Sequence, residues 1–156
     1  MLEEWKVGVN HEIKLSTMSS KSKIIEKFSP FFHVTSLRYW EVIKDEDIEP
    51  KDFGFGYSNQ APNKNPLICL TADHNKNKWL DTLCDKLETR QLVRIRIGAK
   101  SITKRDFDLD YTSNETEILL EKGADFYEVL KESGDVVCFG RISASEILNH
   151  EFIDCP

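Results

Sequence analysis

Apolar residues recur along the chain at two spacings, and the change from one spacing to the other marks out its elements. Residues 92–98, LVRIRIG, alternate strictly: Val93, Ile95 and Ile97 turn inward, joined by Leu92, while Arg94 and Arg96 turn outward, as in a half-buried strand. FFHVTS at 31–36 is a compact run of aromatic and β-branched residues and LICLT at 67–71 a short apolar one, so both read as strands. Leu37, Trp40 and Ile43 follow helical spacing behind Ser36, a fitting N-cap, and Pro50 closes that region. Trp79, Leu83 and Leu87 form one stripe of an amphipathic helix over 74–88, and KIIEKFSP at 23–30 reads as a short helix or turn stopped by Pro30.

In the last third, TEILL, DFYEVL and VVCFGRIS read as strands joined by the turns KGAD and KESGD, and SASEILNH as a short closing helix capped by Ser143 or Ser145. Residues 51–66 are rich in Gly, Asn, Pro and aromatics without periodicity, which predicts a surface loop. Near the start, WKVGV suits a short strand and LSTMSSKS a loop or linker. Helices interleaved with early strands, then a run of antiparallel strands, predict an α+β domain. Residues 1–22 form an N-terminal segment and residues 23–156 a single domain.

Composition narrows the function. A chain of 156 residues has the size of one domain and can bury about 70 % of its unfolded surface. Its net charge of −6 argues against a protein whose main task is gripping nucleic acid, while leaving room for local basic patches. No apolar run approaches the ~18–20 residues that span a bilayer, and the opening MLEEWKVGVNHEIKL is acidic where a signal peptide is basic, so a cytoplasmic location is expected. Cys69, Cys84, Cys138 and Cys155 include no CxxC pair and are expected as reduced, mostly buried thiols. His11, His33, His74 and His150 show no metal-ligand spacing with them, so no metal site is expected. Neither GxGxxG nor a P-loop signature occurs.

Three places concentrate polar groups at strand ends. Glu115 and Glu117, two apart at the head of TEILL, would share one face of a strand, where they repel each other unless solvent, a cation or a polar ligand intervenes. His33 and Thr35 make a similar pair inside FFHVTS, with Phe32 and Val34 toward the core. The plainer reading of His33 is a ring satisfied by a backbone carbonyl. Thr71 precedes Asp73 and His74 at a strand-to-helix junction, where a capping role is equally natural. A two-histidine phosphoesterase would need a second HxT, and only HNK at 74 and HEF at 150 are present.

Taken in order, residues 28 to 148 resemble the mono-ADP-ribosyltransferase superfamily. FFHVTSLRYWEVIKDEDIEP is similar to its histidine-type opening, NPLICLTADHNKNKWLDTL to its middle strand, and NETEILLEKGADFYEV to its E-x-E motif followed by an aliphatic strand. The resemblance implies a mostly antiparallel split β core with flanking short helices and NAD as substrate. It implies that His33, supported by Thr35, binds the nicotinamide-side ribose, with Tyr57 stacking on nicotinamide and Thr71 lining the same cofactor site. Glu117 would be the catalytic acid and Glu115 would position the acceptor, an arginine side chain being favoured over other macromolecular acceptors, nucleic acid included. Glu128 is the next carboxylate in line. The chain departs from the pattern at Cys69, where histidine-type members carry tyrosine, and at Leu70-Thr71-Ala72, where ExE members carry Ser-Thr-Ser. A non-catalytic binding module on the same scaffold is the alternative.

Overall fold

The computed structural model describes residues 20–50 and 66–156. Helix α1 (residues 20–28) ends before Pro30 and leads into β1 (Phe31–Ser36), α2 (Leu37–Ile43) and the short β2 (Asp47–Ile48). From residue 66 onward come β3 (Ile68–Ala72), a 3-10 turn (Asp73–Asn75), α3 (Leu80–Lys86), β4 (Gln91–Ile97), α4 (Ala99–Thr103) and β5 (Phe107–Leu109). The chain closes with α5 (Asn114–Glu121), α6 (Phe126–Ser133), β6 (Asp135–Cys138), β7 (Ile142–Ser143), a second 3-10 turn (Ala144–Glu146) and β8 (Ile147–Asp154). The architecture is α+β: a six-stranded sheet ordered β5-β6-β3-β1-β4-β8, antiparallel at every junction, beside a β2–β7 pair. The proposed strand WKVGV, the start of LSTMSSKS and nearly all of the 51–66 loop, Tyr57 included, lie outside the described residues; residues 20–22 are helical rather than loop.

Register decides which side chains enter the core. Residues directly opposite in a sheet share a face. Phe31 lies opposite Ala72 and Ile97, His33 opposite Ile95, and Thr35 opposite Val93. This is the face that Ile25 of α1, Trp40 of α2, Ile102 of α4 and Val129 and Leu130 of α6 cover, forming the main core. His33 and Thr35 therefore share the core face with Phe31. Phe32 and Val34, expected inward, lie on the other face opposite Arg96 and Arg94. Phe32 is nonetheless buried, because α3 and the turn before it cover part of that second face.

Several local expectations hold. Ser36 caps α2 by accepting from the Tyr39 amide at 3.3 Å, and β1, β3 and β4 fall within a residue of their patterned runs. Others are corrected. TEILL and DFYEVL are helical, within α5 and α6, and KGAD joins two helices. The deciding groups sit at the helix ends: Asp125 Oδ1 accepts from the Glu128 amide at 2.8 Å, and Gly134 ends α6 in the left-handed region at φ 72°. Glu115 and Glu117 in the first turn of α5 favour its positive end. SASEILNH forms only the second 3-10 turn, capped by Ser143, before continuing as β8.

The cysteine expectation is also corrected. Cys84 of α3 and Cys155 form a disulfide with Cα atoms 5.8 Å apart. Strand β8 pairs with β4 along its length, and the Cys155 amide still donates to the Arg90 carbonyl at 2.8 Å, which carries the C-terminal residues beneath α3. Cys69 and Cys138 remain thiols. Burial pushes the Cys138 thiol up to about 12, so it behaves as a small apolar residue.

Candidate functional site

Gly134 turns the chain from α6 into β6, and its carbonyl accepts from the Ala72 amide at 2.7 Å. This docks the end of β6 on the end of β3 and sets Asp135 opposite Thr71. Asp135 is 1 % exposed, a burial that a carboxylate sustains only with partners. It has them: Oδ1 accepts from Thr71 Oγ1 at 3.2 Å and Trp79 Nε1 at 2.8 Å, and Oδ2 accepts from Lys78 Nζ at 2.9 Å. The turn over residues 76–79 lays Lys78 and Trp79 across this end of the sheet. Lys78 Nζ also donates to the Ser133 carbonyl at 2.9 Å and to Glu115 Oε2. Burial works against the ammonium charge of Lys78, but the hydrogen bonds and charges of Glu115 and Asp135 outweigh it and raise its pKa.

A second carboxylate lies beside the first. Asp110, following β5, is buried and accepts at Oδ1 from the Thr112 amide at 2.9 Å and from the Thr112 hydroxyl. Burial pushes its carboxyl above the ordinary range, the Thr112 bonds pull back, and the charge of Asp135 adds to the rise. The Cys69 thiol points into the same group; burial, Asp110 and Asp135 push it well above its usual value, so it is no nucleophile at neutral pH. Because Asp110 keeps its proton to higher pH when folded than when unfolded, it costs stability as pH rises through the ordinary carboxylate value. Asp110→Asn retains an acceptor for Thr112 and removes that cost. The variant is expected to unfold at higher urea than the wild type at pH 7, the gain vanishing below the ordinary carboxylate pKa.

The sequence-predicted residues divide around this network. Thr71 and Glu115 belong to it, through Asp135 and Lys78 respectively. His33 does not belong to it: Thr71 pairs with Phe32, so Thr71 and Asp135 project from the sheet face away from His33, whose Nδ1 donates to the Cys69 carbonyl at 3.0 Å, the backbone satisfaction that the plainer reading expects. Glu115 and Glu117 do not share a face, since two residues in a helix are turned about 200° apart. Glu117 is half-buried, with no hydrogen bond or ion pair of its side chain among the described residues. Thr35 is buried on the core face, and Glu128 is exposed on α6. His74 donates from Nε2 to the Lys131 carbonyl at 2.9 Å and His150 stacks on Trp40 at 4.4 Å, so neither is engaged with His33.

Sequence reasoning missed Asp135, Lys78, Trp79 and Asp110. One signal was available for Asp135: an acidic residue opening the apolar run DVVC, whose members are all buried. Compared with models of protein families and with curated sequences, the chain matches none of them. Among the described residues no helix is long and apolar enough to cross a membrane.

Proposed function

We propose that the chain is an NAD-dependent mono-ADP-ribosyltransferase of ADP-ribosyltransferase-like fold, passing ADP-ribose to a macromolecular acceptor, arginine favoured, and releasing nicotinamide. One observation carries the reading: His33 of the HVT strand stands in a central strand with its Nδ1 fixed on the Cys69 carbonyl. A ring held in one orientation suits the binding of a ribose hydroxyl, with Thr35 supporting the same strand. Breaking the nicotinamide glycosidic bond develops positive charge on the sugar, and an oriented carboxylate in a low-dielectric site stabilises that charge.

Glu117, a half-buried carboxylate without an ion pair among the described residues, takes the part of the acid. Glu115, held by Lys78, positions the acceptor. Tyr57 completes the cofactor side, whereas Thr71 lies on the sheet face away from His33 and donates to Asp135. The test is nicotinamide release on incubation with NAD. Glu117→Gln is expected to reduce turnover by at least about 100-fold with an unchanged melting temperature. Full turnover in that variant moves the acid to Asp135 or Glu128; neither turnover nor a thermal shift with NAD rejects the reading. A second reading, a non-catalytic module that binds NAD, is favoured by the helical setting of the two glutamates and the Glu115–Lys78 ion pair. It predicts a thermal shift without nicotinamide release.

A further inference from the structure

The sheet face opposite the helical core carries a polar groove of about 330 Å³ between β1, β4, β8 and the 73–79 turn. Arg94 forms its floor. It is 7 % exposed, lies over the Phe32 ring at 5.5 Å, and donates from Nε to Glu151 Oε1 and from one terminal nitrogen to Asn77 Oδ1, both at 2.6 Å. The Nε bond and the Arg94 charge hold the Glu151 carboxyl below its ordinary range, so Arg94 and Glu151 neutralise each other. Arg96, two residues on and on the same face, is exposed and has no hydrogen bond or ion pair among the described residues. The Lys76 ammonium likewise makes no hydrogen bond there, though its charge reaches Glu151. Asn149, opposite Arg96, spends its Oδ1 on the His150 amide at 2.8 Å and keeps its amide nitrogen as a donor.

The groove therefore presents two cations that make no hydrogen bond among the described residues, and an amide donor, on a protein of net charge −6, with Asp73 and the Arg94-paired Glu151 also lining it. A guanidinium fork beside an ammonium matches a tetrahedral oxyanion: the fork takes two oxygens and the ammonium a third. We propose that this groove is a binding site for a phosphoryl group, supplied as free phosphate or as a small phosphomonoester. Arg96 and Lys76 are its charge contacts, Asn149 its neutral donor, and Arg94 the fixed floor that keeps β4 and β8 in register beneath them. The inference stands apart from the transferase reading, because none of these residues belongs to the Asp135 network.

The experiment is a titration of the full chain without NAD, at constant ionic strength set with chloride, using inorganic phosphate in one arm and ribose 5-phosphate in the other. Saturable binding in at least one arm is expected, weakened about tenfold or more, or roughly 1.4 kcal/mol, by Arg96→Gln and by Lys76→Gln. Both variants change side chains that make no hydrogen bond among the described residues, so their melting temperatures should match the wild type. Saturation by phosphate alone assigns the free ion, and saturation by ribose 5-phosphate assigns the ester. Absence of saturation in both arms, or variants that bind as the wild type does, overturns the proposal.

Discussion

Lys78→Met is expected to destabilise the protein by about 3–5 kcal/mol, the usual cost of stranding a buried charge. Asp135 is 1 % exposed and Lys78 is the cation bonded to it; methionine leaves the carboxylate with only the neutral donors Thr71 and Trp79. The same substitution frees Glu115, but that carboxylate is 42 % exposed and can turn to water. Urea unfolding at pH 7 measures the loss. Adding Asp135→Asn to Lys78→Met should recover part of it, since the asparagine carries no charge to strand. A double variant no more stable than Lys78→Met would show that packing of the lysine stem, not charge, dominates. The sign with pH follows from the raised pKa of Lys78: its contribution is full below the ordinary lysine range and is lost as pH climbs through the higher folded value.

Reducing the Cys84–Cys155 bond should have an effect of similar size. The two cysteines are 71 residues apart in sequence, and opening a loop of that length returns to the unfolded chain conformational freedom worth about 4 kcal/mol. Urea midpoints with and without dithiothreitol, beside Cys155→Ser, measure it. The reduced wild type and Cys155→Ser without reductant should unfold at nearly the same urea concentration. A wild type indifferent to reductant would mean that the bond does not form in solution. Cys69 and Cys138 are far from this effect, since both are buried or half-buried thiols with raised pKa values.

What was legible in the sequence was the part written in local pattern. The alternation of Leu92 to Ile97 named β4, and Ser36 before Leu37, Trp40 and Ile43 named both the cap and the helix. TEILL and DFYEVL failed because runs of five or six mostly apolar residues carry too few repeats to separate a period of 2 from one of 3.6. Asp125 and Gly134, at their margins, decided the matter. ILNHEFID misled in the opposite direction: β8 is an edge strand whose residues are mostly exposed, so no buried stripe announces it.

The candidate site divides the same way. Thr71 and His33 were visible because they end or punctuate strands, and Glu115 because of its spacing to Glu117. Asp135 and Lys78 lie 57 residues apart and meet only when β6 docks on β3. No local pattern records that meeting. The Cys84–Cys155 pairing is equally non-local, and the absence of a CxxC spacing pointed toward free thiols.

The turn at residues 76–79 has a consequence beyond either of the groups it serves. Asn77 grips Arg94 on one side of the turn, and Lys78 grips Asp135 and Glu115 on the other, yet the two residues share a peptide bond. The disulfide fastens the helix that follows to the chain's far end. One short run of backbone thus anchors both the groove and the acidic network, through adjacent residues that face opposite ways.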